Sequence, residues 1–456
     1  MQKLQIHFLG GSGTVTGSKF YLHTDEIKIL VDCGFFQGAK ELRKRNWDSL
    51  PIKVSEIDAV LLTHGHLDHC GYLPLLVKQG FRGKILGTAP SLEIARIILE
   101  DSAKIQEEEA ERANTEGYSK HHPALPLYTH KDVDFCLRFF ESIEEGEINS
   151  LSENCTATFH YNGHIIGSTY IEINLFGKVF VFSGDIGRQE DELLRPPKQP
   201  EWADYLFVES TYGDRLHPEE DVAAILDGLV DRAIQESGIL IIPSFAVERL
   251  QSLMYQLWKL YKRNTIPNIP IVVDSPMGIN VLKVFEHFPE WHKLPPTEYR
   301  NMQSRINLVG SYSETWETID DPRPKIVIAG SGMVTGGRVL TYIQQLGDLE
   351  STAILLVGYQ AEETRGRKLL DGVSELKIFG KIIPIKAKIY HLESLSAHAD
   401  QKELLEWMGS IKNIPEKVFL IHGEPSAMES YQQKIEEKFG WNCHIPQLNE
   451  VVEIWL

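Results

Sequence analysis

Residues 64 to 69 read His-Gly-His-Leu-Asp-His and follow Ala59-Val60-Leu61-Leu62-Thr63, the pattern of a buried strand running out into a loop. His64, His66, Asp68 and His69 are all metal-ligand types. Imidazole nitrogen suits zinc and other borderline metals, and a carboxylate beside it can hold or orient a second ion. A structural zinc site is normally closed by four ligands with cysteine among them. Here Cys70 merely follows the cluster. Histidine and aspartate without cysteine point to an open site whose metal activates water, and so to a metal-dependent hydrolase. The bland alternative is a solvated polar loop with incidental histidines, and so dense a set of ligand types at a strand end argues against it.

Further ligands should be His or Asp at the end of an apolar strand beside glycine, because loops at strand ends are where chemistry is held. Four positions meet that description. Asp32 ends Lys28-Ile29-Leu30-Val31 and precedes Cys33-Gly34, and His164 lies between Gly163 and Ile165-Ile166-Gly167. Asp185 follows Val179-Phe180-Val181-Phe182-Ser183-Gly184, and His422 ends Lys417-Val418-Phe419-Leu420-Ile421 ahead of Gly423-Glu424. Any one alone is more often a turn residue or a satisfied core histidine; beside the cluster at 64 to 69 they form a set.

Two patterns of elements must position these residues. From 1 to about 208 come short strands with hairpin signals, as in Ile171 to Val179, and helices near 90–113 and 131–141. That predicts two β-sheets packed face to face with helices outside. From about 211 to 375 strands and helices alternate. Helices are expected at 219–236, 247–262, 278–287 and 337–346, and strands at 238–242, 270–274, 325–329 and 353–357. Such alternation predicts a parallel sheet covered on both sides. After about 377 the short-strand pattern returns and carries His398 and His422. If both belong with the cluster, the α/β region is an insertion. The expected domains are a hydrolase part at 1–208, an inserted domain at 209–376 and a completing part at 377–456. No internal repeat or low-complexity linker interrupts them.

Taken in order, Asp32, the cluster His64/His66/Asp68/His69, His164 and Asp185 resemble the metallo-β-lactamase superfamily. Val208-Glu209-Ser210-Thr211-Tyr212-Gly213, Ser394-Leu395-Ser396-Ala397-His398-Ala399-Asp400 and His422-Gly423-Glu424 resemble the three extra motifs of its β-CASP branch. That branch holds nucleases, among them the endonuclease subunit of the pre-mRNA 3′-end cleavage complex and bacterial RNA-degrading enzymes. The resemblance covers essentially the whole chain. It implies an α/β fold, a metallo-β-lactamase αββα sandwich with an inserted parallel-sheet β-CASP domain, and substrate held in the cleft between domains. It also implies two zinc ions, His64, His66 and His164 on one, Asp68, His69 and His422 on the other, with Asp185 bridging.

The same resemblance suggests roles for the rest. Asp32 accepts a hydrogen bond from a ligand histidine and fixes its tautomer. His398 is the general acid for the leaving 3′-oxygen, or a donor to the phosphate, with Glu209 orienting it. A positioned proton donor of this kind is typically worth ~10²–10⁴ in rate. Outside that context Glu209 would read as an exposed carboxylate after a strand, and His398 as a neighbour of a helix cap. Gly330 to Arg338 lies between a strand and a helix, where small residues and free amides suit an anion. It resembles a loop lining the nucleic-acid cleft, so Ser331, Gly332, Arg249 and Arg338 are expected RNA contacts. Arg365, Arg367 and Lys368 join them unless they are ordinary surface charges. No RRM or KH signature is attached at either end.

Composition fits a soluble enzyme: 456 residues, 42 % hydrophobic and 24 % charged, enough for large cores and two domains. No apolar run reaches the ~18 residues that a membrane span needs, and no signal peptide is visible at Met1 to Gly10. Cysteines 33, 70, 136, 155 and 443 form no CxxC and read as reduced thiols in a cytoplasmic protein. The net charge of −18 sits awkwardly with a nucleic-acid substrate. Metal ions offset it locally, and acidic runs such as Glu107 to Glu111 and Glu144 to Glu147 read as solvated faces away from the motifs.

Three functions compete: an RNA-cleaving phosphodiesterase, a small-molecule metallohydrolase acting on thioesters, lactams or sulfate esters, and a non-catalytic scaffold. The α/β insertion with Glu209, His398 and His422 favours the nuclease, since small-molecule members of the superfamily generally lack it. The intact ligand set opposes a scaffold. DNA-directed members tend to lack histidine at the position of His422, which leans the reading towards single-stranded RNA. Without a domain to hold a chain end, endonucleolytic cutting is expected, with accompanying 5′-to-3′ exonuclease activity and homo-oligomerisation left open.

Overall fold

Lys3–Gly10 (β1) alternates half-buried and buried side chains, with Leu4, Ile6 and Phe8 in one core. In the computed structural model, which describes residues 2–117 and 120–456, ten strands continue the pattern through the first half of the chain. They are Lys19–His23 (β2), Lys28–Val31 (β3), Ala59–Leu61 (β4), Lys84–Thr88 (β5) and Phe140–Ile143 (β6). Then come Ile148–Ser152 (β7), Cys155–Tyr161 (β8), Thr169–Leu175 (β9), Lys178–Phe182 (β10) and Tyr205–Glu209 (β11). The middle of the chain forms Ile239–Pro243 (β12), Ile271–Asp274 (β13), Ile306–Val309 (β14), Lys325–Ala329 (β15) and Thr352–Val357 (β16). The hairpin Glu375–Ile378 (β17) and Lys381–Pro384 (β18) precedes Lys388–Leu392 (β19). Lys417–Ile421 (β20), Cys443–His444 (β21) and Val451–Trp455 (β22) complete the set.

Residues Met1–Leu216 and His398–Leu456 form one compact unit, His217–Ala397 the other. The first holds two sheets, ordered β22-β1-β2-β3-β4-β5-β6 and β21-β20-β11-β10-β9-β8-β7. Between them lies a core of Phe8, Phe20, Phe182, Phe207 and Phe419 with aliphatic neighbours. Phe207 stacks on Phe182 at 4.0 Å and on Phe419 at 4.7 Å between ring centroids. A separate core, with Trp407, Met428 and Tyr431, joins residues of β10, β11 and β20 to the helices Gln401–Met408 and Pro425–Phe439. Two sheets face to face with helices outside is the layering expected from the sequence. The helix expected at 131–141 ends at Cys136. Residues 140–143 extend instead as β6, in parallel register with β5 from Ile85↔Phe140 to Thr88↔Ile143.

The second unit carries a six-stranded sheet ordered β14-β13-β15-β12-β16-β19, parallel throughout. Every residue of β12, β13, β15 and β16 is buried, as a sheet covered on both faces requires. The sequence pattern does not show helix Pro296–Gln303, the edge strand β14, helix Tyr312–Asp320 or helix Arg365–Leu370. Only the two end residues of β14 are buried, so its apolar signal is short. β19, expected among the completing strands after 377, pairs with β16 from Ala353↔Lys388 to Val357↔Leu392. The segment up to Ala397 therefore clusters with the inserted sheet. No helix among the described residues is long and apolar enough to cross a membrane.

Candidate metal centre

The sequence motifs converge in the first unit because each leaves the end of a strand. Asp32 follows β3, the cluster follows β4, His164 follows β8, Asp185 follows β10, Glu209 ends β11 and His422 follows β20. The cluster folds as a short helical turn, Leu67–Cys70, with His66 as its cap. Residues 33–35 run against that turn: the Cys33 and Phe35 amides donate to the His69 and Leu67 carbonyls at 2.7 and 3.0 Å. The approach needs glycine at 34, where a Cβ would fall 1.6 Å from the Asp68 carbonyl oxygen.

Two non-glycine residues at the site hold left-handed backbone, Asp32 at φ 56 and His422 at φ 48. Such conformations cost on the order of 1–3 kcal/mol and persist where the surroundings over-determine them. The surroundings do so here. The Asp32 carboxylate accepts from the Thr63 amide at 2.8 Å and the Thr63 hydroxyl at 2.8 Å. The His422 amide donates to Gly11 O at 2.7 Å, and its carbonyl accepts from the Ser210 amide at 3.2 Å.

Donor atoms of His64, His66, His164 and Asp185 lie within 4.8 Å of one another, and so do those of Asp68, His69 and His422. In the first group His66 Nδ1 is 3.1 Å from His64 Nε2 and 3.2 Å from His164 Nε2. Asp185 Oδ2 is 3.5 Å from both His64 Nε2 and His164 Nε2. In the second, His422 Nε2 is 3.4 Å from Asp68 Oδ2, and His69 Nε2 is 3.3 Å from Asp185 Oδ1. Asp185 thus presents one oxygen to each group. His69 Nε2 and Asp185 Oδ1 are buried without a hydrogen-bond partner. Converging nitrogens and buried acceptors without donors are costly unless a cation sits among them. The donor set fits a metal.

Electrostatics point the same way. Burial, with His69 nearby, holds His64 well below the usual histidine range, and burial drives His66 down to about 4. Both rings are therefore held neutral, the form in which imidazole can bind a metal. Burial alone would raise the Asp185 carboxyl, but the surrounding imidazoles of His422, His69 and His64 hold it well below the usual range. Burial also opposes charge on His69, yet Asp185 and Asp32 outweigh it and raise that ring well above its ordinary value. Neutral imidazoles beside an ionised Asp185 carboxylate suit a cation.

Beside the first group stand Glu209 and His398. His398 Nδ1 is 3.3 Å from each Glu209 oxygen, and its ring centroid is 4.4 Å from that of His164. Glu209 is fully buried, whereas the His398 side chain is 21 % exposed. The Ile186 amide donates to Glu209 Oε1 at 2.5 Å, and the Glu209 amide donates to Ser183 Oγ at 2.9 Å. The Ala399 amide donates to Ile186 O at 2.7 Å, tying the His398 segment to the loop that carries Asp185. Burial opposes charge on His398, but the Glu209 carboxylate prevails and raises its pKa.

Several supporting residues have a role that the sequence does not show. Thr63 Oγ1 lies 3.0 Å from His64 Nδ1 as well as bonding Asp32. Thr211 Oγ1 is 3.1 Å from His422 Nδ1, and Asn162 Nδ2 donates to Ser183 O at 2.7 Å and Asp185 O at 2.5 Å. A hydroxyl or amide at a strand end looks alike whether it turns a chain or orients a ligand.

Ser331, Gly332, Arg249 and Arg338 fall in the second unit. Ser331 Oγ accepts from the Thr335 and Gly336 amides at 3.1 and 3.2 Å. Arg249 Nη1 donates to Val357 O at 2.7 Å, and Arg338 Nη1 to Thr315 Oγ1 at 2.6 Å. Arg365 donates to Thr335 O at 3.2 Å, while Arg367 pairs with Asp371 of its own helix at 3.0 Å.

Comparison with known proteins now adds to the geometry. The metallo-β-lactamase superfamily model matches residues 13–217, the Beta-Casp domain model residues 250–369, and that of the Zn-dependent metallo-hydrolase RNA specificity domain residues 382–446. Ribonuclease TTHA0252 of Thermus thermophilus is 33 % identical over 429 residues, covering 92 % of this chain and 93 % of its own length. The chain belongs to the β-CASP branch of the metallo-β-lactamase superfamily. Transcription termination factor FttA of Methanocaldococcus jannaschii is 29 % identical, over 99 % of this chain and 72 % of that protein. An RNase J-like protein of the same organism is 29 % identical over 98 % of this chain and 99 % of its own. A crystal structure of a protein of unknown function from Enterococcus faecalis V583 shares the fold, with TM-score 0.52 and 13 % identity over 99 % and 100 % of the two chains. This β-CASP protein is a metal-dependent hydrolase.

Proposed function

We propose that this chain is a two-zinc ribonuclease that cuts single-stranded RNA within the strand. The carrying observation is the Glu209–His398 pair at 3.3 Å, set beside a cluster of seven metal-ligand side chains. Ribonucleases among the relatives support RNA as the substrate. In this reading His64, His66 and His164 would hold one zinc and Asp68, His69 and His422 the other, with the Asp185 carboxylate turned to both groups. Bound there, zinc would supply Lewis acidity towards water and the scissile phosphate.

The remaining steps belong to the chain itself. Asp32 holds His69 through Nδ1, leaving Nε2 turned to the centre. Glu209 holds His398 through Nδ1, so its Nε2 proton is available to the departing 3′-oxygen. Ser331, Gly332, Arg249 and Arg338 contact the strand in the β-CASP unit.

A circular single-stranded RNA tests the mode of attack. An endonuclease linearises it, and chelation of the metals abolishes the cut. If the circle survives while a linear control is degraded, internal cutting is wrong. If neither RNA is touched but a thioester or lactam is hydrolysed, the small-molecule reading takes its place.

A further inference from the structure

Two aromatic–arginine pairs flank the glycine-rich loop 330–338 of the inserted unit. Phe245 follows β12 and is 40 % exposed. A Cβ on Gly332 would sit 2.7 Å from its ring, so ring and loop are in contact. The Arg249 guanidinium lies 5.9 Å from the Phe245 centroid, anchored to the Val357 carbonyl at the end of β16. Tyr312 is 59 % exposed, with the Arg338 guanidinium 3.6 Å from its centroid. Arg338 is held by Thr315 Oγ1 at 2.6 Å and Gly310 O at 3.3 Å.

Each pair marks a place where the sheet's connections diverge. From β12 the chain crosses to β13 and from β16 it continues to β19, in opposite directions; the same holds for β13 to β14 and β15 to β16. Phe245 and Arg249 belong to the β12/β16 divergence. Arg338, 3.8 Å from Asp274 Oδ1 at the end of β13, belongs to the β13/β15 one. In parallel sheets such points open crevices for ligands at the carboxyl ends of the strands. Leaving an aromatic ring partly in water forgoes some of its hydrophobic gain, and Phe245 and Tyr312 each do so beside a fixed guanidinium. Flat rings take the face of a base, guanidinium forks take phosphate, and a loop of glycine and serine lets a backbone approach.

We infer that Phe245 and Tyr312 are base-stacking positions for a single nucleic-acid strand, with Arg249 and Arg338 at the neighbouring phosphates. This rests on the RNA reading above and adds where the bases sit. Stacking of this kind tolerates any sequence, because every base has a π-face.

Binding measured without cleavage tests it. In the zinc-loaded His398→Ala background, cleavage of a labelled single-stranded RNA is slowed by roughly two orders of magnitude or more, so binding is read before the strand is cut. Adding Phe245→Leu, which keeps an apolar side chain but removes the ring face, should raise Kd roughly tenfold or more. Phe245→Trp should keep the tight Kd, and zinc content should hold in both. An abasic residue placed along the RNA should weaken binding at the two stacked positions in the parent, and at one of them cost nothing further in Phe245→Leu. Tyr312→Ala, an exposed change, carries the same test should Phe245→Leu unfold. Unchanged Kd in Phe245→Leu and Tyr312→Ala, or abasic penalties that persist in full, overturns the stacking platform alone if the unmutated enzyme cuts RNA. RNA bound through Phe245 but never cut by the unmutated enzyme keeps the platform and overturns the ribonuclease reading.

Discussion

His69 stands between two carboxylates: its Nδ1 lies 2.8 Å from Asp32 Oδ2, and its Nε2 lies 3.3 Å from Asp185 Oδ1. The Asp32 carboxylate is held by two further donors. Asp32 takes the Thr63 amide and hydroxyl, whereas Asp185 Oδ1 has no hydrogen-bond partner. The ring is therefore fixed from the Asp32 side and offered to the centre from the other.

Asp32→Ala should accordingly weaken zinc binding by roughly 10–100-fold while leaving the ligands in place, the usual cost of losing a residue that orients a ligand histidine. Competition against a chelating dye measures it. Affinity equal to that of the unmutated protein would remove Asp32 from the site.

Asp185 presents Oδ2 to His64 and His164 at 3.5 Å and Oδ1 to His69 at 3.3 Å. Protein prepared without chelators should carry close to two zinc ions, and Asp185→Ala should lose RNA cleavage, because its carboxylate faces both groups. Retained cleavage with a single metal per chain would sink the two-metal arrangement.

His398→Ala should keep both metals and lower turnover by roughly two orders of magnitude or more, as expected for loss of a general acid. Glu209→Gln, which keeps a partner for Nδ1 but removes its charge, should fall between the two. Zinc lost from His398→Ala would make His398 a ligand instead.

Most of the candidate metal cluster is legible because its ligand-type residues are contiguous or stand at strand ends. His64 to His69 announce themselves in six positions, and Asp32, His164, Asp185 and His422 each close an apolar run beside or near glycine. Thr63 and Thr211 were not legible, since a threonine that bonds a carboxylate in space has no periodicity of its own. The inserted sheet was read from alternation, yet β14 and β19 slipped past. β14 buries only Ile306 and Val309, and β19 reads as another short strand until its pairing with β16 is seen. Sequence spacing carries burial, not partnership. Lysine 19 is the extreme case, for lysine is almost never fully buried, and nothing in its neighbours suggests that it should be.

Lys19 opens β2 and is buried. Its Nζ donates to Gly17 O at 2.9 Å and Gly34 O at 2.6 Å, and it lies 4.4 Å from the Phe36 ring centroid. These bonds tie the turn before β2 to the segment that braces the metal cluster. Burial lowers its pKa from 10.5 to about 8, with the nearby Cys33 thiol opposing. Below about pH 8 the ammonium is charged in both folded and unfolded chains, and its desolvation penalty is fully present. Between about 8 and 10.5 the unfolded lysine keeps a proton that the folded one has given up, so stability rises with pH. Above that window the penalty is gone. At about 1.4 kcal/mol per pH unit, the difference approaches about 3 kcal/mol. Lys19→Met removes the titration, whatever it does to stability at neutral pH through the two carbonyls left without a donor. Urea unfolding of both proteins at pH 7.5 and pH 10 should therefore show the unmutated chain gaining on Lys19→Met as pH rises. A stability difference that stays constant across the window would mean that Lys19 ionises as freely in the fold as in water.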